Sequence, residues 1–177
     1  MSTGAGGAAG NGSDTVGHHL LSVLVENRPG VLTRVAGLFA RRGYNIHSLA
    51  VAPTDDPSRS RISMVVDSAS APVAQMVRQL DKLVNVLEIA ELAPAVAVER
   101  EVLLATLSVG PADRPQVDEV LAGFDAKVLE ESADALTVSV VGAPAALDDA
   151  ELLLRPFGLV AVQRSGRVAL PALGAQD

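Results

Sequence analysis

Cysteine is absent from the 177 residues, which excludes disulfides, thiolate metal sites and a cysteine nucleophile. Tryptophan is absent too, and one tyrosine with three phenylalanines brings aromatics to only 2 %. Any core must therefore be built from small aliphatic side chains. Three histidines and no glycine fingerprint behind a strand leave no nucleophile–base constellation, so no catalytic residue is expected. Cations are outnumbered, 14 Lys and Arg against 21 Asp and Glu, and a net charge of −7 argues against a nucleic-acid surface. No apolar run approaches the roughly 18 residues of a membrane span. Residues 1–17 lack the basic start and apolar stretch of a secretory signal and the arginine of a transit peptide, so the expected address is cytoplasmic. Small and polar throughout, that stretch cannot bury enough surface to offset its ordering entropy and is expected to be a disordered tail.

What is present is aliphatic: 49 % hydrophobic residues and a mean hydropathy of +0.32, enough for a buried core. Leu21, Val23 and Val25 alternate as a strand. Val31, Leu32, Val35, Leu38 and Phe39 then follow helical spacing, ended by Gly43. Residues 44–52 return to extended structure, and Ile62, Met64 and Val66 alternate as a third strand. Pro72 opens a helix lined by Val73, Met76, Val77, Leu80 and Leu83, and residues 86–92 read as a fourth strand. The second half repeats the order: a strand over 102–109, a helix behind Asp113, strands over 127–130 and 136–141, a helix opened by Pro144 and stopped by Pro156, and a last strand over 159–170. Two βαββαβ units of an α+β class are expected, each a four-stranded antiparallel sheet with both helices on one face. The other face of the first sheet would be an apolar patch, for which pairing with a second copy is the economical cover.

The stretch Val25-Glu26-Asn27-Arg28-Pro29-Gly30-Val31-Leu32 is the most informative in the chain. Pro29-Gly30 turns the strand sharply into the helix, whose first amides lack intrahelical partners and can serve an anion. Gly30 lets a ligand approach the backbone, and Asn27 and Asn45 add side-chain amides that donate and accept. A carboxylate on the helix terminus and amides reading an ammonium group together describe a free amino acid. Taken singly, each of these residues is an ordinary turn residue.

This region resembles an ACT domain, and the chain is similar to the small regulatory subunits of acetolactate synthase (acetohydroxyacid synthase). The resemblance rests on Leu21-Ser22-Val23-Leu24-Val25-Glu26-Asn27, Gly37-Leu38-Phe39, Arg42-Gly43-Tyr44-Asn45-Ile46 and the run from Ser48 to Pro57. Gln79-Leu80-Asp81-Lys82-Leu83-Val84, Val98-Glu99-Arg100-Glu101 and Arg164-Ser165-Gly166-Arg167-Val168 extend it to about Leu170. It implies two ferredoxin-like domains, an ACT domain over 18–93 and a C-terminal one over 101–171, with a junction over 94–100 and a tail over 172–177. It implies an effector, valine or else leucine or isoleucine, bound between two ACT domains of a homodimer. Asn27, Gly30, Val31 and Leu32 would come from one subunit, Asn45 and Ile46 from the other, with Val31, Leu32 and Ile46 forming an apolar slot. It further implies a partner, the large catalytic subunit, carrying thiamine diphosphate, Mg and FAD and condensing two pyruvates to 2-acetolactate. This chain would hold no cofactor and no metal itself, and would activate that partner and confer feedback inhibition. A freestanding amino-acid-sensing ACT module controlling another protein is the competing expectation.

Four further groups stand out. His47 follows the Asn45-Ile46 pair where an acidic residue is expected in relatives, and as a strand residue it would face solvent. His18 and His19, being adjacent on a strand, face opposite ways and make a poor metal pair. Asp55-Asp56 lack a third ligand nearby and are read as shaping a loop. Arg164, Gly166 and Arg167 read as a strand end with a turn.

Overall fold

A computed structural model describes residues 17–174. The expected tail over residues 1–16 and the last three residues of the chain lie outside the described part. Two sheets follow one another along the chain. The first contains β1 (His18–Glu26), β2 (Ile46–Pro53), β3 (Arg59–Asp67) and β4 (Val86–Leu92), in the order β2-β3-β1-β4 and antiparallel throughout. Helices α1 (Val31–Arg42) and α2 (Val73–Leu80) cover one face. The alternation read in the sequence places Leu21, Val23, Val25, Ile62, Met64 and Val66 beneath Val35, Leu38, Phe39, Met76 and Leu80, all in one buried cluster. Phe39 and Tyr44 meet edge to face at 5.5 Å, so the only tyrosine closes the end of this core. Gly43 ends α1 in the left-handed conformation, φ 67°, and its N–H returns to the Ala40 carbonyl.

The second sheet has β5 (Ala97–Leu107), β6 (Asp125–Glu131), β7 (Leu136–Gly142) and β8 (Leu159–Arg164) in the order β6-β7-β5-β8, with α3 (Arg114–Ala122) and α4 (Pro144–Leu154) packed on one face. The architecture is α+β, two βαββαβ units in tandem, as the periodicities predicted. Asp113 precedes α3, but its side chain makes no capping bond. Pro72 stands one residue ahead of α2, at the N-cap with ψ 134°, not inside its first turn.

Two departures bear on function. The last strand is not continuous over 159–170: it breaks at Ser165-Gly166-Arg167, with Gly166 at φ 79°, and resumes as β9 (Val168–Pro171). Residues 97–100, read from the sequence as part of a junction, are strand. They form the first part of β5 and pair with β9, away from the four-stranded sheet. This two-stranded ribbon lies on the back of the first sheet, where Ala169 and Ala97 pack with Leu20, Val65 and Leu92. The apolar back face expected to need a second copy is thus covered in part by the chain's own C-terminal ribbon. Periodicity could not reveal this, because a strand pattern states which face is apolar and not what lies against it.

Candidate functional site

The turn into α1 has the geometry the sequence suggested. Gly30 occupies the N-cap at φ 84°, a conformation that costs an L-residue about 1–2 kcal/mol, and it supplies no side-chain cap. The Val31 N–H donates to the Arg28 carbonyl at 3.3 Å and the Arg34 N–H to that of Gly30 at 3.0 Å. The N–H groups of Leu32 and Thr33 are left as outward donors at the positive end of the helix dipole. Nothing lies within 4 Å of where a Gly30 Cβ would be, so the approach is open. The end of β1 is braced around it: Asn85 donates to Glu26 at 2.6 Å, and Arg34 donates to Asn85 at 2.5 Å.

The six predicted residues divide by their surroundings. Gly30, Asn27, Asn45 and Leu32 are exposed, Leu32 by 42 %. Ile46 is half-buried. The Val31 side chain is 5 % exposed inside the first core, and its N–H is already bonded. It anchors the helix start, which leaves Leu32 and the half-buried Ile46 as the more accessible apolar side chains. Asn27 donates from Nδ2 to the Pro57 carbonyl at 2.9 Å, which ties the β2–β3 loop to the turn and leaves its Oδ1 as an acceptor. Asn45 bonds through its backbone to Ser70 and Asp67, so its side-chain amide stays available.

One chain does not bring these residues together. Glu26 pairs with Arg59 at one end of β3, and Ile46 pairs with Val66 at the other. At about 3.3 Å per residue the Asn27–Gly30 turn and the Asn45–Ile46 pair sit about 23 Å apart along the sheet. β2 is an edge strand. A second copy related by a twofold axis, its β2 antiparallel to this one, would set Asn45 and Ile46 of one chain beside the turn of the other.

The ladder between β2 and β3 shifts register between Ile46 and Ser48, leaving His47 as the extra residue of a bulge. It is an exposed strand residue, as expected, and its ring lies tilted against that of His18 with centroids 4.2 Å apart. Burial, followed by the nearby His18, Arg167 and Arg164, lowers the pKa of His47. His18 and His19 do face opposite ways, for His19 bonds Glu91 at 2.7 Å. Asp56 shapes its loop as read: it accepts from the Ser58 amide at 2.9 Å and hydroxyl at 2.6 Å, bonds that hold its carboxyl below the usual range.

The sequence reading missed a charged cluster between the two units. Glu101 is only 5 % exposed and accepts from Arg164 at 2.7 Å, while Arg164 also donates to Asp148 at 2.5 Å. Burial works against the charged guanidinium, but these two bonds outweigh it and raise its pKa. Arg167 lies 3.6 Å from Glu99. A cavity of about 490 Å³ opens here, lined by His18, His47, Ser48, Arg164 and Arg167 among others, and the buried His18 Nδ1 and Ser48 Oγ have no bonded partner among the described residues. The available signal was register: Glu101 shares the inward phase of Leu103, Ala105 and Leu107, which marks a buried carboxylate in need of a cation.

Two ferredoxin-like units in tandem, the first with a glycine-capped, anion-ready helix start, define a two-domain protein with an ACT-type first half. The comparisons narrow this further. Residues 21–88 match the AHAS small subunit-like ACT domain, and residues 100–172 match the family described as small subunit of acetolactate synthase. The acetolactate synthase small subunit of Mycobacterium bovis is 43 % identical over 152 residues, covering 86 % of this chain and 90 % of that one. That of Mycolicibacterium smegmatis is 41 % identical over 160 residues, covering 90 % and 92 %. The crystal structure of the small subunit from Thermotoga maritima superposes with a TM-score of 0.79 at 31 % identity, covering 89 % of this chain and 98 % of that one. The chain belongs to the acetolactate synthase small subunit family.

Proposed function

We propose that this chain is the non-catalytic regulatory subunit of an acetolactate synthase, docking on a large catalytic subunit, raising its activity and conferring feedback inhibition by valine or another branched-chain amino acid. The large subunit would hold thiamine diphosphate, Mg and FAD and convert two pyruvates to 2-acetolactate and carbon dioxide, in the cytoplasm. No helix among the described residues is long and apolar enough to cross a membrane. The observation that carries the reading is the opposed placement of the two half-sites. The Gly30 turn and the Asn45–Ile46 pair lie at opposite ends of a sheet whose β2 edge is open, and a twofold dimer would join them.

In that dimer the effector carboxylate sits on the Leu32 and Thr33 amides, and Asn27 Oδ1 and the partner's Asn45 take the ammonium group. Leu32 and the partner's Ile46 flank the side chain. Such apolar walls separate ligands differing by one methylene by only about 1–3 kcal/mol, so discrimination among valine, leucine and isoleucine is modest. Inhibition requires the effector to bind two states of the assembly unequally.

The test is acetolactate formation by the purified large subunit, with and without this chain, titrated with the three amino acids. Gly30→Asp places a carboxylate where the effector's would sit; the space around Gly30 is open, and the left-handed φ costs the variant only about 1–2 kcal/mol. It should retain activation and lose inhibition. A variant that stays fully inhibited shows that the effector binds elsewhere.

A further inference from the structure

The Ser165-Gly166-Arg167 turn meets the first sheet at β2, just beyond the effector residues, and its geometry is specific. Leu49 directs its side chain into the first core, so the back of its peptide is bare. Gly166 sits on it: a Cβ there would be 3.2 Å from the Leu49 carbonyl oxygen and 3.5 Å from its nitrogen. With φ 79° as well, this is a position that only glycine fills without strain. On its other side the turn is fixed to the second unit. The Ser165 N–H donates to the Val102 carbonyl at 3.0 Å, the Val102 N–H donates to Ser165 Oγ at 3.0 Å, and Ser165 Oγ donates to the Gly166 carbonyl at 2.8 Å. Arg164 clamps β5 to α4 through Glu101 and Asp148. Hence the turn is bonded into the second unit and meets the first at Leu49 of β2.

The same strand carries the effector residues. Between Ile46 and Leu49 lies the bulge at His47, where the β2–β3 ladder is interrupted. The distance from Ile46 to Leu49 is about 10 Å at strand rise. A ligand that draws Asn45 and Ile46 toward itself therefore displaces Leu49 unless the bulge absorbs the motion.

We propose that the Ser165–Arg167 turn is the contact through which effector occupancy at β2 is passed to the C-terminal unit, with Gly166 as its positioning residue. The proposal rests on the placement of the effector at Asn45 and Ile46 under the proposed function. The physical warrant is a close backbone contact that both units share, three residues along β2 from Ile46.

The experiment compares the full-length chain with Gly166→Ala, and with Gly43→Ala as a control. Gly43 is also left-handed but has nothing within 4 Å of its Cβ position, so its alanine variant perturbs the backbone away from the contact. Three readouts are taken: calorimetric affinity for valine, inhibition of the reconstituted holoenzyme, and amide exchange over 46–50. Gly166→Ala should bind valine within about threefold of the unaltered chain and still activate the large subunit. It should need at least tenfold more valine for half-inhibition, and its amides over 46–50 should exchange at least fivefold faster. Ser165→Ala, which removes the hydroxyl bonds and adds no bulk, should move the same readouts in the same direction by a smaller factor. Unchanged inhibition and exchange in Gly166→Ala, or equal uncoupling by Gly43→Ala, overturns the role of the turn while the effector site stands. Absence of valine, leucine and isoleucine binding by the unaltered chain overturns the effector reading and the signalling role together.

Discussion

Removing Arg164 should cost far more stability than removing the acid it holds. Glu101 is 5 % exposed, and among the described residues Arg164 is its one bonded side-chain partner. Arg164→Met leaves that carboxylate buried and unpaired, a defect of about 3–5 kcal/mol. The lower end applies, about 3 kcal/mol, because Arg164 is itself 27 % exposed and water can enter the space it vacates. For a chain of this size that is a fall of about 6–12 °C in the unfolding midpoint. Glu101→Leu leaves Arg164 bonded to the half-exposed Asp148 and should cost about 1 kcal/mol. The double variant replaces the pair with apolar side chains and should be more stable than Arg164→Met alone, since exchanging a buried ion pair for packed apolar groups is close to neutral. Urea unfolding followed by circular dichroism, with the four proteins compared as a cycle, gives the coupling directly. If Arg164→Met costs under about 1 kcal/mol, or the double variant is no better than it, then Glu101 is not a stranded buried charge and the reasoning fails.

Gly158→Ala should destabilise by at least about 2 kcal/mol, because φ is 71° and the new Cβ would lie 2.7 Å from the Ser108 carbonyl oxygen; Gly43→Ala, with open space, should cost about 1 kcal/mol by the same unfolding assay. The pH dependence follows from His47, whose folded pKa lies below its ordinary 6.5. Between the two values the unfolded chain binds more protons, so the contribution is present above 6.5 and is lost as pH falls from there through the lower folded value. The urea midpoint should therefore drop between pH 7.5 and 5.5, and His47→Gln, which cannot titrate, should show a smaller drop; an equal drop assigns the effect to other groups.

Local chemistry made much of this protein legible in advance. The inward phase of Leu21, Val23 and Val25, the helical spacing of Val31, Val35, Leu38 and Phe39, and the glycine at 43 each act within a few residues, and each produced the element its pattern predicted. The Gly30 turn belongs to the same class, since a left-handed N-cap is a property of the residue itself. Val31 shows the limit: helical spacing puts it on the apolar face, but only the packed core reveals how deeply it is buried there. His47 shows another, because a bulge is a mismatch between two strands and cannot be seen in either alone.

The sequence alone thus determined the order of elements, the two-unit α+β class and the open amides at the start of α1, all consequences of short-range sterics and of which side chains avoid water. Tertiary structure decided what those elements meet: β9 folding back over the first sheet, Gly166 resting on Leu49, and Arg164 joining Glu101 to Asp148. These contacts span tens of residues, and a strand carries the same alternation whether its far face meets solvent, a second copy or its own chain's C-terminal ribbon.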